Sequence, residues 1–148
     1  MKAAAVFAAT AAIGIELFGI AASADAADSL PIEPGYYVST DTPCQKASNA
    51  TLTLFDGVSF GDDHVECRNP STKKLPDASY QLTRQCRDMQ VDGTPWQKIT
   101  ENYAVVGPTE VIETNSFGKF RYRYCKQSDL PDPWNAVDLK STIKQPGR

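Results

Sequence analysis

The stretch Asp62-Asp63-His64-Val65-Glu66-Cys67 gathers three carboxylates and the chain's only histidine within five consecutive positions. A hard cation takes carboxylate oxygens, and zinc takes an imidazole nitrogen together with a carboxylate such as Asp62 or Glu66. The order of these residues does not follow the D-x-D-x-D-G pattern of a calcium loop. A solvated polar loop leading into a bonded cysteine accounts for the same residues more economically. Ligand binding through Asp62, Asp63, His64 and Glu66 is the alternative, and no metal site is expected. As a general base, His64 would need a hydroxyl nucleophile and a third group to orient the ring. Ser59 and Asp62 are near in sequence, but the chain has no G-x-S-x-G elbow. No catalytic residue is therefore assigned.

A second stretch, Lys119-Phe120-Arg121-Tyr122-Arg123-Tyr124-Cys125, alternates cations strictly with aromatics. Alternation of period two is a half-buried strand, with Phe120, Tyr122 and Tyr124 toward a core and Lys119, Arg121 and Arg123 toward water. The basic row, joined by Lys73 and Lys74, is a candidate surface for an anionic partner or ligand. By parity Cys125 falls on the cationic side, so its burial requires a bulge or a strand end. Glu110 and Glu113 stand three apart on a strand-like segment and so face opposite ways, which excludes them as a glycosidase pair.

The elements that must position these groups are short strands. Gly35 to Thr40 is aromatic and β-branched; Thr51 to Phe55 alternates and runs into Asp56-Gly57, a hairpin signal, before Val58 to Phe60. Asn69 to Pro76 reads as a loop by composition. Ser79 to Cys86 has Tyr80, Leu82 and Cys86 on one face; Trp96 to Val106 has Ile99, Tyr103 and Val105 on one face. Glu110 to Thr114 and Lys119 to Cys125 complete the series. Strands at this spacing, without sustained helical periodicity, predict an all-β fold, a small antiparallel β-barrel or sandwich, over residues 35–127. Residues 25–34 read as a mobile lead and 128–148 as an irregular tail.

Export frames all of this. Met1-Lys2 followed by an apolar run to Ile15, with Ala22-Ser23-Ala24 behind it, is the pattern of a signal peptide over residues 1–24. Glu16 opposes a retained anchor, since a carboxylate at mid-bilayer costs about 2.5–3.5 kcal/mol. No later run is long enough to span a membrane, so no span is expected after cleavage. Four cysteines in an exported domain read as two disulfides, a source of stability that compensates a lean core. The pairing expected from neighbouring strand-like segments is Cys44–Cys67 with Cys86–Cys125.

A net charge of −3 gives no basic footprint for nucleic acid. The layout is similar to that of small periplasmic β-barrel proteins, including inhibitors of lysozyme, although their serine-glycine and tyrosine-bearing loop signatures are absent. The expectation is a periplasmic or secreted, non-catalytic binding protein, inhibitor-like or ligand-binding, without a cofactor. Its partner would be an envelope or extracellular protein or a small ligand. The competing expectation is a small envelope hydrolase or metal-binding protein built on His64 and its neighbouring carboxylates.

Overall fold

The computed structural model describes residues 29–61 and 64–144. The expected signal peptide, Asp62 and Asp63 lie outside the described residues. Eight strands form one antiparallel sheet: β1 (Gly35–Ser39), β2 (Leu52–Phe55), β3 (Phe60–Gly61), β4 (Val65–Lys74), β5 (Tyr80–Asp88), β6 (Gln97–Gly107), β7 (Glu110–Asn115) and β8 (Gly118–Cys125). Their order is β3-β2-β1-β8-β7-β6-β5-β4. The sheet curls until β3 and β4 touch without pairing, giving a nearly closed barrel with one seam.

The alternation of the strands decides what enters the lumen. Tyr37, Phe55, Phe60, Leu82, Tyr103 and Val111 point inward and form the principal core. Phe60 sits at its centre, stacked on Tyr103 at 5.4 Å and edge-on to Tyr37 at 5.6 Å. Aromatic contacts of this geometry stabilise beyond their buried area. Asp56 turns β2 into β3, its carboxylate accepting from the amides of Val58 and Ser59 at 2.9 and 2.7 Å. Gly57 adopts φ +94°, and a Cβ there would meet the Lys144 carbonyl at 2.4 Å, so the turn needs glycine.

The described parts of two flanking segments pack against the barrel. Leu30 and Ile32, in the stretch expected to be a mobile lead, are buried in the principal core. The Glu33 amide donates to Pro108 at 2.7 Å, and the Tyr37 hydroxyl donates to the Glu33 carbonyl at 2.8 Å. These contacts seal one end of the barrel, next to the β6–β7 turn. In the described part of the tail, short 3-10 turns at Gln127–Asp129, Trp134–Ala136 and Leu139–Ser141 lay Leu130, Trp134 and Leu139 over the outer face of β1 and β2. That second core explains why Tyr36, Tyr37 and Val38 are buried in succession, since β1 is covered on both faces.

Asn69-Pro70-Ser71 is also not a loop; it lies within β4, at a register shift between Arg68 and Ser71. Asn69 takes φ 52° there. β4 is an unpaired edge on the seam side, where a proline removes no ladder hydrogen bond.

The disulfides join Cys44 to Cys125 and Cys67 to Cys86, which corrects the expected pairing. The physical reason is sidedness. Cys67 and Cys86 are direct partners in the β4–β5 register and both line the lumen. Cys44 and Cys125 belong to the outer core beneath the tail. The expected bonds would have had to cross the barrel wall. Cys125 is buried with no bulge in β8, because the outer face is itself covered at that strand's end. Two disulfides fit an oxidising, extracytoplasmic compartment. No helix among the described residues is long and apolar enough to cross a membrane.

Candidate functional site

The lumen is closed at one end and open at the other. Toward the open end lies a cavity of about 580 Å³, within the size range of small-molecule sites. Its walls carry three inward charges, Arg84 on β5, Glu101 on β6 and Glu113 on β7. Parity places them there: Arg84 follows Tyr80 and Leu82, Glu101 lies between Ile99 and Tyr103, and Glu113 follows Val111. These are charged residues at positions where the alternation demands apolar ones, and that irregularity is the signal the sequence reading passed over.

Arg84 is the organising group. One terminal nitrogen donates to the Glu101 carboxylate at 2.9 Å. The other donates to the Ser59 hydroxyl at 3.0 Å and to the Phe60 carbonyl. The side chains of Arg84 and Glu101 are only 11% and 13% exposed. A single guanidinium thereby links β5 and β6 to β3, across the seam where backbone pairing is missing. Its planar set of donors suits this multiple attachment. Its Nε has no partner among the described residues.

Glu101 also accepts from the Tyr103 hydroxyl at 3.0 Å. Burial first, then the neighbouring carboxylates Glu101 and Glu113, push the Tyr103 phenol well above its ordinary range, so it remains a neutral donor. Burial, followed by Glu113 and Glu101, raises Tyr122 to about 12. Glu113 is raised as well, chiefly by burial and then by the charge of Glu101, partly offset by a hydrogen bond from the Asn115 amide and by Arg84. Phe120, directly opposite Glu113 in the β7–β8 register, and Tyr122 complete the aromatic wall.

The residues singled out in the sequence lie elsewhere. Arg121 points outward and pairs with Glu110. Arg123 is absorbed into structure, donating to the Thr42 carbonyl at 2.6 Å and to Cys44 Sγ at 3.2 Å. Lys119 is exposed near the β7–β8 turn. Lys73 and Lys74 stand at the far end of β4, and β8 is separated from β4 by three strands, so the basic row does not include them.

Glu66 pairs on the outer surface with Arg87 at 2.6 Å. Arg87 and Arg68 in turn stack on the Trp96 ring at 4.7 and 3.9 Å. His64 is exposed, its Nδ1 within 3.0 Å of the Gln90 amide nitrogen. Among the described residues no three His, Cys, Asp or Glu side chains gather as a metal site. The two lumen disulfide sulfurs carry no free thiol, and no cysteine is free.

With this geometry in hand, comparison with family models, curated proteins and solved structures finds no match to the chain. The functional reading rests on the site itself.

Proposed function

We propose that the chain is a periplasmic or secreted binding protein, non-catalytic, that takes a small ligand into the open end of its barrel. The observation that carries this reading is the lumen cavity, with a belt of partly buried charges between an aromatic wall and an apolar floor. Ligand sites combine apolar lining with a few fixed polar groups in this way, the first supplying affinity and the second orientation. The walls are rigid strands, two of them bolted together by Cys67–Cys86, so the site is pre-formed and little ordering entropy opposes binding. The hydrolase alternative depends on His64, which stands outside the lumen, and it gains no support from the cavity.

Ligand-observed NMR with a fragment library, run on the full chain, tests the proposal. The comparison is Ile99→Trp, which fills the cavity wall while the fold is checked by circular dichroism. Fragments that bind the natural protein and are lost with Ile99→Trp are the expected result. A library that yields no binder, or binders indifferent to Ile99→Trp, contradicts a lumen site.

A further inference from the structure

We infer that the lumen selects a small organic cation, an ammonium group carrying an apolar or aromatic portion; this rests on reading the lumen as the binding site. The charge count around the cavity is the first ground. Asp41, Glu101 and Glu113 line it against a single cation, Arg84, among the described residues. The terminal nitrogens of Arg84 go to Glu101, the Ser59 hydroxyl and the Phe60 carbonyl, and Arg84 forms no ion pair with Glu113. The carboxylate surplus is therefore only partly answered from within the wall: Arg84 offsets Glu113 at a distance without pairing with it, and an incoming cation supplies the missing partner.

The second ground is the company that Glu113 keeps. The Asn115 side-chain amide donates to one of its oxygens, which leaves carboxylate lone pairs available to a ligand N–H. Phe120 lies opposite it across the strand pair, and Tyr122 and Tyr103 share its face of the wall. Aromatic faces beside a half-desolvated carboxylate are the combination that holds ammonium groups, by charge and by attraction to the ring quadrupole. An anion would meet net repulsion here, and a neutral ligand would leave Glu113 without a counter-charge.

The third ground is the order of chemistry along the axis. Below the carboxylates Leu82 and Val111 are fully buried in the apolar floor. Toward the open end the wall carries Ile99, and the Phe120 ring stands beside Glu113. Met89, Val91 and Phe117 are exposed on the β5–β6 and β7–β8 connections, which frame the open end. A ligand enters with its ammonium foremost, places it at Glu113, and leaves its apolar portion against Ile99 and the Phe120 ring.

The test is a matched series of three probes of one shape: 2-phenylethylamine, 2-phenylethanol and 3-phenylpropanoate, titrated calorimetrically into the full chain at pH 7. The amine is expected to bind at least tenfold more tightly than the other two. Glu113→Gln, which keeps the shape and removes the charge, should abolish that preference. Glu66→Gln, an outer-surface control, should change nothing. Equal or tighter binding of the alcohol or the acid overturns the inference but leaves a lumen site standing. Equal losses from Glu66→Gln and Glu113→Gln also overturn it, since they mark diffuse surface attraction. Failure of all three probes while neutral or anionic fragments still bind refutes the cation, whereas a fragment library without any lumen binder refutes the site itself.

Discussion

The two ends of the lumen are walled by the same strands and obey different rules. At the closed end Tyr37, Phe55, Leu82 and Val111 are fully buried and the lead residues Leu30 and Ile32 plug the opening. At the open end the next inward positions along β5, β6 and β7 are Arg84, Glu101 and Glu113. One end minimises exposed apolar area, as a core must. The other holds a carboxylate, Glu113, in surroundings that oppose its ionisation, an arrangement with no value for packing. The contrast teaches that the stability and the recognition of this small domain are separated along one axis, a few residues apart.

The largest effect should come from breaking the floor. Leu82→Ala removes a fully buried side chain from the centre of the apolar end and should cost about 2–5 kcal/mol, read as a lowered urea midpoint. A cost no greater than that of a surface alanine would show that the floor is not the core.

A smaller loss is expected at the boundary. Arg84→Met leaves the Glu101 carboxylate without its cation and the seam without its side-chain bridge. Hydration from the cavity moderates the cost to about 2–3 kcal/mol, below that of breaking a dry pair. Amide hydrogen exchange should accelerate selectively at Phe60 and Gly61, beside the freed seam. Uniform acceleration throughout the barrel would instead assign Arg84 to the global core.

The smallest effect should have the opposite sign. Glu113 has its pKa raised in the folded chain, so folding favours its protonated form. The contribution it makes is present below the unfolded carboxylate pKa and is lost as pH rises through the folded value. Glu113→Gln should therefore melt slightly higher than the natural protein at pH 7, by roughly 1–2 °C after solvent screening, and equally at pH 3.5. A lower melting temperature at pH 7 would mean that the carboxylate stabilises the fold.

Much of the floor was legible in the residue pattern. Period-two alternation in Thr51 to Phe55, Ser79 to Cys86 and Lys119 to Cys125 marks strands, and Asp56-Gly57 marks the first hairpin. Legibility failed where burial is two-sided or long-range. The alternation of β1 is erased by its outer cover, and Leu30 and Ile32 gain their burial only from a barrel end that local composition does not reveal. The disulfide pairing went astray because sequence nearness says nothing about which side of a wall a sulfur faces, whereas the β4–β5 register sets Cys67 against Cys86. The site was missed for a related reason. Lys119, Arg121 and the acidic stretch around His64 stand out by local spacing alone, whereas Arg84, Glu101 and Glu113 do not. Those three were visible only as interruptions on apolar faces, and they become one belt when β5, β6 and β7 are placed side by side.

The ionisation of Glu113 tests the separation of the two ends most directly. Carbon-detected NMR of the side-chain carboxyl across a pH titration should give a midpoint above the ordinary glutamate value, and the midpoint should fall when a bound amine supplies the missing charge. A midpoint at or below the ordinary value in the free protein would contradict a desolvated carboxylate without an ion-pair partner in the lumen.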